Sequence, residues 1–156
     1  MRNGVTERDL GWNRIKRETK ALGGKSVDVG LQNDGTMGKD CETLVSQYAY
    51  YNEYGTGRIP SRPFMRNAFD QNKADILRTT RKLWDGVMTG RLDANQAAGV
   101  LGQSHVDHII GQIESGDFEK NAESTIARKS TSAGVGDSPL EDTGQMKQSV
   151  RHVVKG

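Results

Sequence analysis

The segment from Tyr48 to Asp70 sets the tightest limits on how this 156-residue chain folds. It reads Tyr-Ala-Tyr-Tyr-Asn-Glu-Tyr-Gly-Thr-Gly-Arg-Ile-Pro-Ser-Arg-Pro-Phe-Met-Arg-Asn-Ala-Phe-Asp. It holds all four tyrosines, two of the three phenylalanines and two of the three prolines. An aromatic stretch leads into Asn52-Glu53, Gly55 and Gly57 turn the chain, Pro60 and Pro63 stiffen it, and a long helix begins. Glycine reaches positive φ without a steric penalty. Proline sits well at a helix start, because the N–H it lacks would be unpaired there. Arg62 and Arg66 flank the junction beside Glu53, so the spacing predicts a guanidinium–carboxylate pair across the turn. The segment reads as a rigid corner between an early strand region and a main helix.

From Pro63 to about Gly90, Met65, Phe69, Ile76, Leu83 and Val87 recur at helical spacing, with Leu77, Trp84 and Met88 beside them. This pattern predicts the helix with the largest share of the core, its aromatic residues turned inward. After Gly90, Asp93-Ala94-Asn95-Gln96 forms a cap. Ala97, Leu101, His105, Ile109 and Ile113 then share one face, with Ala98, Val106 and Ile110 next to it. Gly99 and Gly102 each weaken such a helix by about 1 kcal/mol relative to Ala, but let another backbone come close. The two helices are expected to form a hairpin, or the second to pack on a neighbour.

The remaining elements are shorter. Thr6-Glu7-Arg8-Asp9 is a capping pattern, and Leu10, Ile15 and Leu22 with Trp12 give a narrow apolar stripe ending at Gly23-Gly24. This predicts an amphipathic helix lying on a sheet; a basic helix docking on nucleic acid or a partner is the alternative. Val27, Val29 and Leu31 alternate with Ser26, Asp28 and Gly30, the period of a half-buried strand. Asn33-Asp34-Gly35 is a turn within a polar loop from Gln32 to Asp40. Thr43 to Tyr51 reads as a short strand or a strand passing into a helical turn. Gly116 to Asp137 lacks periodicity and reads as a long loop. Thr143 is the expected N-cap of a short helix that turns Met146 and Val150 inward, and His152-Val153-Val154 is a final strand. The chain is thus one domain: residues 1–25 an N-terminal helix, 26–62 strands and corner, 63–115 a helical pair, 116–137 a long loop, 138–156 a short helix and strand.

Only 33% of residues are hydrophobic and 19 are glycine, so little apolar material is available to bury and partners are expected to complete the burial. The net charge of +2 does not by itself argue for nucleic acid. Its distribution is uneven. Residues 63–92 carry six Lys/Arg against three acids, and residues 93–123 carry one against six. Residues 1–25 carry seven against three. A bipolar chain of this kind suits head-to-tail contacts between copies. A single cysteine, Cys41, excludes an internal disulfide and has no basic activator beside it. No apolar leader and no run of about 20 apolar residues occurs, so neither export nor membrane insertion is expected.

The search for chemistry returns no catalytic set. His105-Val106-Asp107-His108 is the one histidine cluster; it lacks further ligands at a recognised spacing and reads as a buried or interfacial pair, not a metal site. Gly23-Gly24-Lys25-Ser26 ends like a phosphate-binding loop, but Thr19 stands where its first glycine belongs. Gly55-Thr56-Gly57 lacks the third glycine of a dinucleotide site. No cofactor is implied. Arg14 to Arg17 and Arg78, Arg81 and Lys82 are basic patches without interleaved aromatic residues, open to backbone-phosphate contact. A small nucleic-acid-binding module is therefore the alternative from another functional class.

Three motifs carry a resemblance. Asn52-Glu53-Tyr54-Gly55-Thr56 followed by Ile59-Pro60-Ser61-Arg62-Pro63-Phe64-Met65 is the first, and Ser124-Thr125-Ile126-Ala127-Arg128-Lys129 the second. The third is Pro139-Leu140-Glu141-Asp142-Thr143-Gly144-Gln145-Met146-Lys147-Gln148-Ser149-Val150. In order and spacing they resemble the neck, or tail-completion, proteins of tailed bacteriophages, from about residue 44 to the C-terminus. Met65 and Met146 stand where leucine is usual. The resemblance implies an α+β fold: a small twisted antiparallel sheet packed by two long helices and the N-terminal helix, with long loops. It implies a structural virion protein of the head–tail junction, not an enzyme, assembled in the host bacterial cytoplasm. It would form a homo-oligomeric ring of six-fold, or twelve-fold, symmetry around the DNA channel. Its neighbours would be the connector or adaptor proteins and the tail terminator or tail tube protein, with non-specific proximity to packaged DNA. A tail terminator or a head-completion protein is the alternative within that class. Arg78, Arg81, Lys82, His105 and His108 are candidate contacts between subunits, the basic 63–92 stretch meeting the acidic 93–123 stretch of another copy. The motif residues themselves read first as corner and cap geometry, and the Ser124–Lys129 and Gln32–Asp40 loops as segments that order on a partner.

Overall fold

The computed structural model describes residues 8–38, 43–130, 139–140 and 144–156, and residues 128–130 by their backbone. In chain order the elements are α1 (Trp12–Gly23), β1 (Ser26–Leu31), α2 (Val45–Tyr54), α3 (Phe64–Met88), α4 (Ala94–Ser115), α5 (Glu123–Ser130), α6 (Gln145–Gln148) and β2 (Val150–Lys155). The fold is α+β: an antiparallel pair, β1 with β2, packed against long helices. Val27 lies opposite Val154, Val29 opposite His152 and Leu31 opposite Val150.

Helices α3 and α4 form the expected hairpin. Asp93 and Gln96 make the capping box that starts α4, Gln96 N–H donating to Asp93 at 2.8 Å and Asp93 N–H to Gln96 at 3.0 Å. Gly90, at φ +80°, turns the chain between the two helices. Helix α4 lies on the sheet, and Gly102 makes that approach possible. A Cβ there would stand 2.6 Å from the His152 ring and 2.8 Å from Val27 Cγ1, whereas one on Gly99 would meet nothing within 4 Å. Of the two glycines, only Gly102 serves a close approach.

The core gathers Val45, Ala49, Phe64, Ala68, Val106, Ile109, Ile113, Leu140, Met146 and Val150. Residues from five helices and strands far apart in sequence therefore share one apolar cluster. Met146 and Val150 face inward as expected, although Val150 belongs to β2 and not to the short helix.

Several expectations are corrected. Residues 45–54 are helical, not a strand, because Val45, Ala49, Asn52 and Glu53 at i, i+4, i+7 and i+8 bury one face. A strand would have placed Asn52 and Glu53 on opposite faces. The 116–137 stretch is not loop throughout, since Glu123–Ser130 forms α5, begun by hydrogen bonds from Thr125 and Ile126 to Ala122 O. Helix α1 begins at Trp12, where Asp9 accepts from Gly11 and Trp12 at 2.9 and 2.7 Å. Thr6 and Glu7 lie outside the described residues. So do Asp40 and Cys41, the Asp142-Thr143 pair and most of the segment after Ser130. Gly144, at φ +71°, takes the N-cap position of α6. Helix α1 packs on α3 and α4, not on the sheet, and buries no residue fully.

The face of α3 is also corrected. Its buried residues are Phe64, Ala68, Gly86 and Val87, while Phe69, Leu77 and Trp84 are exposed. The inward stripe runs through small and polar positions such as Ala68, Asn72 and Thr79. Phe69, Leu77 and Trp84 point to solvent, whereas Phe64 and Val87 at the two ends of the helix are buried.

Candidate interface

The corner organises a polar cluster inside the fold. Glu53 is 2% exposed at the end of α2, and its carboxylate accepts from the N–H groups of Met65 (2.9 Å) and Arg66 (3.2 Å). These are unpaired donors of the first turn of α3, where a negative charge is favoured. Glu53 thus caps a helix that starts eleven residues after it in sequence. Arg66 completes the site, its Nε donating to Glu53 at 2.9 Å and its Nη2 to the Glu53 carbonyl at 2.9 Å. The predicted ion pair across the turn is therefore Glu53–Arg66.

Arg62 has other partners. It is 5% exposed and donates to the carbonyls of Glu119 (2.8 Å) and Lys120 (3.1 Å) and to the side-chain oxygens of Asn52 (3.2 Å) and Asn121 (3.2 Å). Burial pulls its pKa below the ordinary value. Its four acceptors tie the corner to the segment that leads into α5. Gly55 has φ +75°, and a Cβ there would lie 2.9 Å from Ser61 N. Thr56 Oγ1 accepts from the N–H groups of Arg58 and Ile59 at 3.2 and 3.1 Å and closes the turn. Pro60 and Pro63 are half-buried, and Pro63 directly precedes the first residue of α3.

The other motif residues fall around the same core. Phe64 is fully buried, Leu140 is 5% exposed, and Pro139 beside it is buried. Ser124 and Thr125 stand in the first turn of α5, with Arg128 and Lys129 in its last turn. Asn52, Glu53, Arg62 and Phe64 are thus drawn together with Leu140 and Met146 although they span most of the chain. Asp142 and Thr143 lie outside the described residues.

The histidines sit between the long helices. His105 and His108 ring centroids are 5.9 Å apart, and Phe69 lies edge-on to His105 at 5.7 Å. His108 Nε2 is 3.3 Å from Asp75 Oδ2, and its Nδ1 is buried without a hydrogen-bond partner among the described residues. Burial and the neighbouring His108 hold the pKa of His105 below the ordinary imidazole value. A hydrogen bond from Arg78 and the charges of Arg78 and His108 hold the Asp75 carboxyl below the usual carboxylate range. Among the described residues, no three His, Cys, Asp or Glu side chains lie together as a metal site would need. A shallow groove of about 340 Å³ runs past Glu53, Tyr54, Arg66, Phe69 and His105.

The surface carries features that sequence periodicity missed. Tyr50 and Tyr54 stack at 4.8 Å and are 58% and 57% exposed, and Arg66 lies over the Tyr54 ring at 5.1 Å. Trp12 is 64% exposed, and Phe69, Leu77 and Trp84 are also open. The residues predicted as subunit contacts do not form one patch. Arg78 is engaged by Asp75, Arg81 and Lys82 are exposed, and His105 and His108 lie half-buried between α3 and α4. Arg14, which no motif marks, donates to the carbonyls of Val87 (3.2 Å) and Met88 (3.1 Å) and caps the C-terminal end of α3. No helix among the described residues is long and apolar enough to cross a membrane.

Compared with known proteins, the chain matches no family model, no curated protein and no solved structure.

Proposed function

We propose that this protein is a structural component of the head–tail junction of a tailed bacteriophage, a neck or tail-completion protein working as a ring of identical copies. The observation that carries the reading is that the first and third motifs share one core, while the first also holds the segment leading into the second. Arg62, in the first motif, holds the chain just ahead of the second through Glu119 and Lys120. Leu140 and Met146, in the third, pack in the cluster that contains Phe64 of the first. The first and third motifs, far apart in sequence, thus pack as one module, as a shared family pattern would require. The second support is the surface: a two-stranded sheet and several open aromatic residues leave binding capacity that a ring and its neighbours would use. In this reading the motif residues build the corner, and the partner contacts lie elsewhere on the surface.

Electron microscopy of lysates from a phage lacking the gene tests the proposal. Filled heads beside finished but unattached tails are the expected result. Overlong or unstable tails with normal heads would reassign the protein to tail termination, and leaking heads to head completion. Normal infectious particles would overturn the virion reading altogether.

A further inference from the structure

The two long helices present opposite chemistry to solvent. On α3, Phe69, Lys73, Leu77, Arg81 and Trp84 are all exposed and fall within about 120° of the helix circumference at 100° per residue. Phe69 is 47%, Leu77 60% and Trp84 42% exposed, so three large apolar side chains lie in a cationic stripe. Arg81 makes no ion pair or hydrogen bond among the described residues; Lys73 pairs with the exposed Asp70 of the same stripe and lies over the Phe69 ring at 5.6 Å. On α4, Val100, Gln103, Asp107, Gly111 and Glu114 are exposed and fall within about 80°. Helix α4 contains Asp107 and Glu114 and no Lys or Arg, whereas α3 carries five Lys/Arg against three Asp. Val100 is 48% exposed, and nothing stands within 4 Å of a Cβ placed on Gly111.

We infer that the exposed face of α3 in one copy docks on the exposed face of α4 in the next, extending the helical layer from subunit to subunit. The inference rests on the ring reading above and names the surfaces that close the ring. Charge decides the partner. Glu114 is already paired with Lys147 at 2.9 Å, so Arg81 on α3 and Asp107 on α4 carry the choice: two α3 faces would bring Arg81 toward Arg81, and two α4 faces Asp107 toward Asp107, so a two-fold dimer through either face is disfavoured. The α3-to-α4 pairing is attractive and heterologous, the arrangement that generates rings. The lengths match as well, 25 and 22 residues, or about 37 and 33 Å at 1.5 Å per residue. Trp84, Phe69 and Leu77 supply the apolar anchors, and the low relief around Gly111 leaves room for them.

The test uses the full chain and its charge-reversed variants, Lys73→Glu with Arg81→Glu on α3, and Asp107→Lys with Glu114→Lys on α4. All four positions are exposed, and circular dichroism verifies folding. Native mass spectrometry and sedimentation velocity should find the parent in a closed oligomer and each reversed variant shifted to monomer. Mixing the two reversed variants should restore assembly with the copies alternating. A photo-crosslinker at position 77 should label residues 96–114 of a second copy. Reversed variants that assemble like the parent, with label elsewhere, would overturn the docking mode and leave the ring reading standing. A parent that stays monomeric at every concentration would overturn both. If that monomer instead bound duplex DNA, and lost the binding with Lys73→Glu and Arg81→Glu, the α3 face would be a phosphate-contacting surface.

Discussion

Arg62 and Arg14 perform the same operation at opposite ends of the α3–α4 hairpin. Each guanidinium donates to the carbonyls of two consecutive residues, Glu119 and Lys120 in one case, Val87 and Met88 in the other. The surroundings differ. Arg62 is buried, has two further acceptors in Asn52 and Asn121, and stands beside a carboxylate that caps the same helix. Arg14 is half-buried and, among the described residues, donates to the two carbonyls only. At the corner every strong polar group found is answered from within the chain. At the hairpin tip a single arginine closes the helix end, and large apolar side chains remain open. The corner therefore determines the fold, and the tip and outer helix faces are where association is expected.

Removing Arg62 should have the largest effect. Arg62→Met keeps much of the aliphatic bulk but removes a charged donor shared by two carbonyls and two amide oxygens around a buried side chain. Breaking a buried charge-assisted network costs about 3–5 kcal/mol. Urea denaturation should show a loss of that order, and the segment from Glu119 to α5 should lose hydrogen-exchange protection first. A loss below about 1 kcal/mol would mean that water or the following segment replaces Arg62.

Two of the three glycines of α4, Gly99 and Gly102, sharpen the comparison between covered and open surface. Gly102→Ala would drive a methyl group into the His152 ring and Val27, an overpacking that costs about 1–3 kcal/mol. Gly99→Ala meets nothing in the isolated chain and should stabilise it by up to about 1 kcal/mol through helix propensity. Thermal melts of the two variants should move in opposite directions. Arg14→Ala comes next, with an expected loss of about 1 kcal/mol from two carbonyl hydrogen bonds and a favourable charge at a helix end. A loss as large as that of Arg62→Met would erase the distinction between corner and tip.

How much of this was legible in the sequence depends on which signal a residue carries. The corner was legible because glycine, proline and opposite charges constrain backbone and side chains locally, and Glu53–Arg66 followed from spacing. The Asp93–Gln96 cap and β1 were legible for the same local reason. The Thr43–Tyr51 stretch reads as a short strand or a strand passing into a helical turn because Leu44, Val45 and three tyrosines favour strands, while the residues that bury the face of α2 include Asn52 and Glu53, which look like surface. The outward turn of Phe69, Leu77 and Trp84 was misread because periodicity assigns large apolar residues to the core. In this hydrophilic chain α3 packs inward through Phe64 and Val87 at its ends and through Ala68, Gly86 and polar positions. The contacts of Arg62 with residues 119–121 and of Arg14 with residues 87 and 88 join segments 57 to 74 residues apart, and no single-chain pattern encodes them.

The smallest effect lies between the helices, and it separates the histidine pair from both ends of the hairpin. His105 has a folded-state pKa below the ordinary value of about 6.5, so below that pH the unfolded chain binds a proton that the folded chain resists. Stability from this site is therefore complete above about pH 6.5 and declines as pH falls toward the lowered folded-state pKa. Asp75 acts in a separate window: its depressed carboxyl pKa places its contribution at higher pH and loses it only on stronger acidification. Denaturation midpoints measured between pH 7.5 and 5.5 should thus fall for the parent and change less for His105→Gln. Arg62→Met should keep the parent slope, since its defect lies at the corner. If His105→Gln kept that slope as well, the pH response would have to come from another site.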